Sequence, residues 1–143
     1  MAYLSIINGV KGLWFYTGSG QKDYQGKPAG LLNKPEEGHW DYVQKLVSEL
    51  REFSPVIMAP SGSEKPQMTP ADAPVEFTTR EWEGKLYLIA ANKSDRPQTV
   101  RFGGKVLAGK RAQVLFEEHA AGIEGDSLKE DLGAFGVRVC KVE

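Results

Sequence analysis

The residues of this sequence that are best suited to binding a ligand lie in the stretch GLWFYTGSG, residues 12–20. On an extended strand alternate side chains point to the same side, so Trp14 and Tyr16 would share one face and the phenylalanine between them the other. Their rings supply apolar contact, and the hydroxyls of Thr17 and Ser19 supply hydrogen bonds, as in many small-molecule sites. The alternative is that all three rings are ordinary core side chains.

No arrangement of acid, base and nucleophile can be assembled from the remaining residues. The adjacent carboxylates Glu36–Glu37 are typical of surface charge beside a helix start, and Glu117–Glu118 of a solvated strand end. His39 and His119 are far apart and have no nearby carboxylate cluster, which argues against a metal site. The single cysteine, Cys140, lies in a strand-like run and is expected to be a small packed side chain. We therefore expect no catalytic residue, no metal and no cofactor in this chain.

Charge and hydropathy argue against two classes of partner. The chain has 143 residues, of which 41% are hydrophobic and 26% charged, with a formal net charge of −1. This balance gives no electrostatic reason to expect nucleic acid or an anionic membrane as a partner. No apolar run approaches the roughly 20 residues of a membrane span.

The first half of the sequence has helical periodicity around a single strand. Apolar residues spaced for one helix face run over Ala2–Val10, and Gly12 is the expected stop. Leu13–Tyr16 is continuously apolar, which predicts a strand buried on both faces, as in a parallel sheet covered by helices. After a long loop, a second apolar stripe predicts a helix over His39–Phe53, which Pro55 should end.

The second half is predicted to be a linker followed by a series of strands. Ala59–Ala73 is rich in proline, serine and charge, without periodicity. Strand candidates bounded by turn signals follow at Val75–Trp82, Leu86–Ala91, Thr99–Phe102, Val106–Leu107, Val114–Glu117, around Ile123 and at Val137–Val142. Such a meander predicts an antiparallel sandwich or small barrel of roughly 80 residues.

The single strand of the first half needs neighbours that this half does not supply. An isolated helix-strand-helix leaves both strand edges unpaired and lacks an adequate core. The strand could join the C-terminal sheet, pair with another chain, or belong to a longer protein. The sequence begins directly on an amphipathic helix with no cap residue before it, which favours the longer protein.

Two parts of the sequence resemble the end of a (β/α)8-barrel glycoside hydrolase. AYLSIINGVKGLWFYTGSG, followed after a loop by HWDYVQKLVSELREFSPVIM, is similar to the helix, eighth strand and last helix of such barrels. REWEGKLYLIAANKSDRPQTVRF, VLFEEH and LGAFGVRVCKV look like the small β-sandwich often appended to them. The last strand of that sandwich commonly ends GVHVYxL, so Arg138 and Cys140 are departures from the pattern.

This resemblance implies an α+β chain: a partial β/α-barrel remnant (helix-strand-helix) in residues 1–58, a linker in 59–73 and an antiparallel all-β sandwich in 74–143. Glycosidases normally need two carboxyls beside the scissile bond. In the resembling barrels these follow the fourth and seventh strands, so the catalytic pair would be missing upstream. The implied partners are that missing N-terminal barrel segment and the oligo- or polysaccharide substrate of the parent enzyme.

The resemblance also gives the aromatic stretch a role. The carboxyl end of an eighth barrel strand lies at the mouth of the active site, where rings would contact the apolar faces of sugars and hydroxyls their polar groups. The residues implied to bind substrate are Trp14, Tyr16, Thr17 and Ser19. Two alternatives stay open: a stand-alone carbohydrate-binding module with Trp82 or Trp14 in its groove, and a non-enzymatic interaction domain that oligomerises.

Overall fold

The computed structural model describes residues 1–14, 22, 25–27, 38–117 and 121–143. The chain divides into two compact units, one formed by residues 1–11 and 55–143 and the other by residues 12–54. Its helices are α1 (Ala2–Ile7) and α2 (His39–Met58), and a 3₁₀-helix covers Lys105–Leu107. Its strands are β1 (Gln67–Thr69), β2 (Val75–Trp82), β3 (Lys85–Asn92), β4 (Gln98–Gly103), β5 (Ala112–Val114), β6 (Ile123–Glu124), β7 (Ser127–Leu132) and β8 (Val137–Val142).

These strands form two antiparallel four-stranded sheets. The first sheet has the order β1-β4-β7-β6 and the second sheet the order β2-β3-β8-β5. Strands β2 and β3 are joined by a two-residue turn in which Glu83 and Gly84 both have positive φ, the turn geometry that matches the twist of a hairpin. The two antiparallel sheets are consistent with the predicted β-sandwich.

The hydrophobic core contains residues of both sheets. Alternate residues of each strand point into it, among them Leu88 and Ala90 of β3 and Val100 and Phe102 of β4. The Phe77 ring of β2 meets the Phe102 ring edge-on, with centroids 5.0 Å apart. This aromatic contact joins the second sheet to the first.

A buried ion pair also joins the two sheets. Glu130 of β7 points inward and its side chain is fully buried. Arg138 of β8 places its Nε 2.9 Å from the Glu130 carboxylate, and one terminal nitrogen donates to the Asp131 carbonyl at 3.3 Å. The other terminal nitrogen pairs with Glu117. One buried guanidinium therefore binds two carboxylates.

The second sheet is buried on both faces. The residues of β3 that point away from the core, Tyr87, Ile89 and Ala91, are as buried as those that point into it. Helix α1 packs against β2 and β3, and its Tyr3 and Ile6 are buried. Since the first sheet occupies the core side, α1 lies on the other side. We call this side the outer face; its buried residues are Thr78, Arg80, Tyr87, Ile89, Ala91 and Val139.

Helix α1 ends earlier than predicted, at Ile7 instead of Val10, and Gly12 is not its stop. Gly9 has a φ of 95°, which a residue with a side chain rarely adopts. This turn lets the Val10 N–H donate to the Ser5 carbonyl at 3.0 Å, the bond that closes a Schellman motif. Gly9 therefore ends the helix, three residues before the predicted stop at Gly12.

Helix α2 continues through Pro55 to Met58, so the predicted end at Phe53 is wrong. A proline inside a helix removes the N–H that would bond to the carbonyl four residues earlier, here that of Arg51. The Ser54 hydroxyl donates to that carbonyl instead, at 2.9 Å. The bond lost at Pro55 is thereby offset by a neighbouring side chain.

Three segments of the second half differ from the prediction. β7 lies where the sequence predicts no strand, because charged Glu130 takes an inward position and hides the alternation. β1 lies inside the predicted linker Ala59–Ala73 and has only three residues, too few for a periodicity. Val106–Leu107, a strand candidate, lies in the 3₁₀-helix that follows the positive-φ Gly104.

The predicted barrel strand Leu13–Tyr16 falls at the edge of the described residues. Leu13 and Trp14 lie in no helix or strand and are 36% and 90% exposed. The expected burial on both faces is wrong for these two, because no strand of the described residues pairs with them. Phe15 and Tyr16 lie outside the described residues. The barrel remnant stays a prediction, as do the boundaries of residues 1–58, 59–73 and 74–143.

Removing one partner of the Glu130–Arg138 pair should cost more than removing both. Glu130→Leu leaves the Arg138 guanidinium buried with Glu117 as its remaining carboxylate, and we expect urea denaturation to show a loss of about 3 kcal/mol. The double variant Glu130→Leu/Arg138→Met should recover at least half of that loss. Lys129→Ala, on the exposed side of the same strand, is the matched control and should change stability by under about 0.5 kcal/mol. Equal losses in the single and double variants would contradict the coupling.

Candidate functional site

One of the four residues predicted to bind sugar lies in the part of the chain that the structure describes. Trp14 is 90% exposed and belongs to the unit formed by residues 12–54. Tyr16, Thr17 and Ser19 lie outside the described residues. Whether the four form one binding surface stays a prediction.

The glutamates around Arg138 do not form an acid/base pair for hydrolysis. Glu117 is predicted to be a solvated strand end. Its side chain is 48% exposed, and it also pairs with Arg138. Glu130, the second carboxylate on that guanidinium, has no exposed side-chain surface. No sugar could lie between two acids of which one is sealed in the core. The cluster is therefore structural.

This cluster contains residues that sequence reasoning did not single out. Glu130 falls between two inward leucines in SLKEDL, and this spacing is the sequence signal that could have placed it in the core. Arg138, one of the departures from the sandwich pattern, is buried in the ion pair.

Cys140 is buried, as predicted, and its environment disfavours the thiolate. The thiol donates to Glu130 Oε1 at 3.4 Å. Burial is the main cause that raises the pKa of the Cys140 thiol, and the negative charge of Glu130 raises it further. Nucleophilic attack requires the thiolate, so this environment disfavours Cys140 as a nucleophile.

Asn92 fixes the turns at one end of the second sheet. Its buried side chain donates to the carbonyls of Arg96 and Gly133 at 2.7 and 2.8 Å and accepts from the Ser94 N–H at 2.9 Å. These bonds lock the β3–β4 turn, which the sequence NKSDRP predicts, against the β7–β8 turn. The N–H of Phe135, in the second turn, donates to the Ser94 carbonyl at 2.9 Å. Phe135 is thereby held at the surface with a positive φ of 53°.

Exposed aromatic rings are the sugar-contact candidates that the structure describes. Phe135 is 67% and Trp82 38% exposed, and both belong to the unit that contains the sheets. Trp82 ends β2, opposite Lys85. Trp40, in the first turn of α2, is 38% exposed.

Among the described residues, no group of three or more histidine, cysteine, aspartate or glutamate side chains is arranged so that it could hold a metal ion. None of their helices combines the length and the apolar character that a membrane crossing needs.

The fold is similar to parts of solved glycoside hydrolase structures. An Anoxybacillus α-amylase, reported as a new glycosyl hydrolase subclass, matches 73% of this chain with a TM-score of 0.57 and 20% identity, over 22% of its own length. The α-amylase of Geobacillus thermoleovorans in complex with acarbose matches 85% of this chain with a TM-score of 0.59 and 16% identity, over 24% of its length. A variant of AmyP in complex with maltotriose matches 92% with a TM-score of 0.54 and 13% identity, over 29% of its length.

These similarities concern the fold alone, because the sequence identities are low. The chain spans less than a third of the length of each of the three solved structures. No protein-family model and no curated protein matches the sequence. Two of the three solved structures that share this fold are described as α-amylases, and the relation of this chain to glycoside hydrolases stays a prediction.

The environment of Cys140 predicts slow reaction with thiol reagents. In the folded protein at pH 8 we expect modification by 5,5′-dithiobis(2-nitrobenzoate) to be at least about a hundredfold slower than in urea, since the thiol is buried and its pKa is raised. Absorbance at 412 nm measures the reaction. Glu130→Leu removes a charge that raises the pKa and should speed the reaction, with Lys129→Ala as the unaffected control. Equal rates in folded and unfolded chain would contradict the assignment.

Proposed function

We propose that this chain is the C-terminal part of a (β/α)8-barrel glycoside hydrolase. Residues 1–58 would supply the last elements of the barrel, residues 59–73 a linker and residues 74–143 an accessory β-sandwich that buttresses it. The catalytic carboxylates would lie upstream, in barrel strands that this chain does not contain. The chain alone would therefore bind part of a substrate without hydrolysing it.

The apolar outer face of the second sheet is the observation that carries the proposal. Ile89 and Val139 on this face are buried, and α1 packs on the sheet with Tyr3 and Ile6 buried. A sandwich without α1 would expose these apolar residues, and monomeric proteins rarely expose large contiguous apolar patches. A sandwich attached to a larger helical domain needs this kind of face.

Two polar contacts support the same role for α1. Asn8, at the end of the helix, donates to the Glu76 carboxylate of β2 at 2.7 Å. The ammonium of Lys11 donates to the carbonyl of Ile57, near the end of α2, at 2.6 Å. The segment after α1, which precedes the proposed last barrel strand, would thus be anchored to β2 and to the end of α2.

The similar structures are consistent with this reading. Each is matched over about a quarter of its own length, as expected if a catalytic domain occupied the remainder. Two of them are described in complex with acarbose or maltotriose, and we propose an oligo- or polysaccharide as the substrate of the parent enzyme. The Trp14 ring is open to solvent over most of its surface, so it could stack on a sugar, with Tyr16, Thr17 and Ser19 beside it.

The DNA upstream of codon 1 tests the proposal. We expect an open reading frame that continues into alternating strands and helices with two carboxylates at strand ends. The longer product should hydrolyse starch, whereas the 143-residue chain should not. A nearby in-frame stop without barrel-coding sequence, or hydrolysis by the short chain alone, would overturn the proposal.

In the longer protein, Trp14→Ala should lower kcat/KM on maltotriose by about tenfold, because a stacking contact of about 1.4 kcal/mol is lost. Trp82→Ala is the matched control, since it removes another exposed tryptophan outside the proposed sugar site, and it should stay within about twofold of the parent. A loss with Trp82→Ala and none with Trp14→Ala would place sugar binding on the sandwich instead.

A stand-alone carbohydrate-binding module is the second candidate, favoured by the exposed Trp82 and Phe135 rings. It requires the 143-residue chain to bind sugar without any upstream segment. Titration of tryptophan fluorescence with maltotriose distinguishes the two. A saturable response that Trp82→Ala abolishes and Trp14→Ala retains would favour the module, and no response would count against it.

A further inference from the structure

Arg80 is a buried cation on the outer face of the second sheet. It is 4% exposed and lies opposite Tyr87 of β3. One terminal nitrogen, Nη1, makes all of its hydrogen bonds: to Ser61 Oγ at 3.0 Å, Thr78 Oγ1 at 3.1 Å and the Thr79 carbonyl at 3.2 Å. All three acceptors are neutral.

The remaining edge of this guanidinium has no counter-charge among the residues that the structure describes. Its Nε is buried and unpartnered, and Nη2 makes no hydrogen bond within the described chain. A buried charge is strongly unfavourable unless it is paired. Arg138, which is similarly buried, shows the usual solution, since it binds the carboxylates of Glu130 and Glu117.

The unpaired edge of the guanidinium, formed by Nε and Nη2, has the geometry that binds a carboxylate. Nε and Nη2 point their hydrogens in parallel, and this fork binds the two oxygens of one carboxylate side-on. Nη1 is held by its three neutral acceptors, so the fork is already fixed in orientation. The chemistry of the missing partner is therefore that of a carboxylate.

The surroundings of Arg80 restrict the direction from which a partner can come. The core side of the second sheet is occupied by the first sheet. The edge of β2 is paired with the segment around Ser61, through the Gly62 N–H to the Thr79 carbonyl at 3.2 Å and the Glu81 N–H to the Pro60 carbonyl at 3.2 Å. The outer face is the direction that remains, and it is the face on which α1 packs.

We propose that Arg80 receives the carboxylate of an aspartate or glutamate from the barrel segment that would precede residue 1, and so anchors the barrel to the sandwich. The source of this carboxylate rests on the proposed function. The carboxylate site itself rests on the geometry of Arg80 alone, so the two can be tested separately.

Formate, the smallest carboxylate, probes the site in the 143-residue chain. Thermal unfolding is followed while formate replaces chloride at constant ionic strength, so that screening stays the same. We expect Tm to rise by about 3 °C when formate is at about ten times its dissociation constant. Coincident melting curves in formate and chloride would overturn the proposal.

Variants assign the effect to Arg80. Arg101→Met removes an exposed arginine of β4 and should keep the full formate response. Arg80→Met should abolish the formate response. Arg80→Lys keeps the charge without the fork and should reduce the response. The Lys variant also serves as the test if the Met variant does not fold. A full response in both Arg80 variants would show that formate binds elsewhere and would overturn the assignment.

The longer protein then identifies the source. If an upstream side chain occupies the fork, the formate response of the short chain should be absent from the longer protein and should return when the contacting acid is changed to alanine. A response of equal size in both proteins would overturn the side-chain source. If no barrel-coding sequence exists upstream, the proposed function fails, while the formate experiment still decides whether Arg80 is a carboxylate site.

Discussion

The second sheet must be covered on both of its faces, and the arrangement of the chain follows from this constraint. β3 is buried along almost its entire length, so one set of alternate side chains needs the first sheet and the other needs a partner outside the sandwich. Strands β4, β6 and β7 help to cover the first side, whereas α1, from the opposite end of the sequence, packs on the second. This is why residues 1–11 belong to the same compact unit as residues 55–143. Sequence order alone would separate them.

Two buried arginines, one on each side of this sheet, show how the two faces differ. Arg138 points into the sandwich, where Glu130 and Glu117 supply its counter-charges, so the inner side is electrostatically complete. Arg80 points to the outer side, where its acceptors are neutral. Among the described residues, the buried charge on the core side is therefore paired, whereas the buried charge on the outer face has only neutral acceptors. A buried charge is costly unless it is paired, and this difference is what the proposed carboxylate at Arg80 would remove.

The sequence predicts the elements whose patterns are local. β2 and β8 have the predicted bounds because their alternation and flanking turns are intact. β7 is not predicted because Glu130 breaks its alternation of apolar and polar residues. No local pattern reveals that Glu130 and Arg138 will meet, since they lie on strands of different sheets and the contact depends on how these sheets pack. The same limit applies to the predicted sugar site: Trp14 is exposed, and its grouping with Tyr16, Thr17 and Ser19 stays a prediction, because it depends on how the strand predicted over Leu13–Tyr16 is paired.

Under the proposed function, the residue clusters of the sandwich contribute to stability and not to catalysis. The clusters around Arg138 and Asn92 are held by internal ion pairs and hydrogen bonds, so they would rigidify the sandwich and take no part in binding substrate. The apolar side chains of the outer face are already buried in this chain, where α1 packs on the sheet, so the remaining barrel would add the carboxylate proposed for Arg80. Attachment of the sandwich would then stabilise the folded barrel, and the barrel would stabilise the sandwich, because α1 would pack on both. A sandwich of this kind would influence hydrolysis through the stability of the last barrel elements, without touching the reacting atoms.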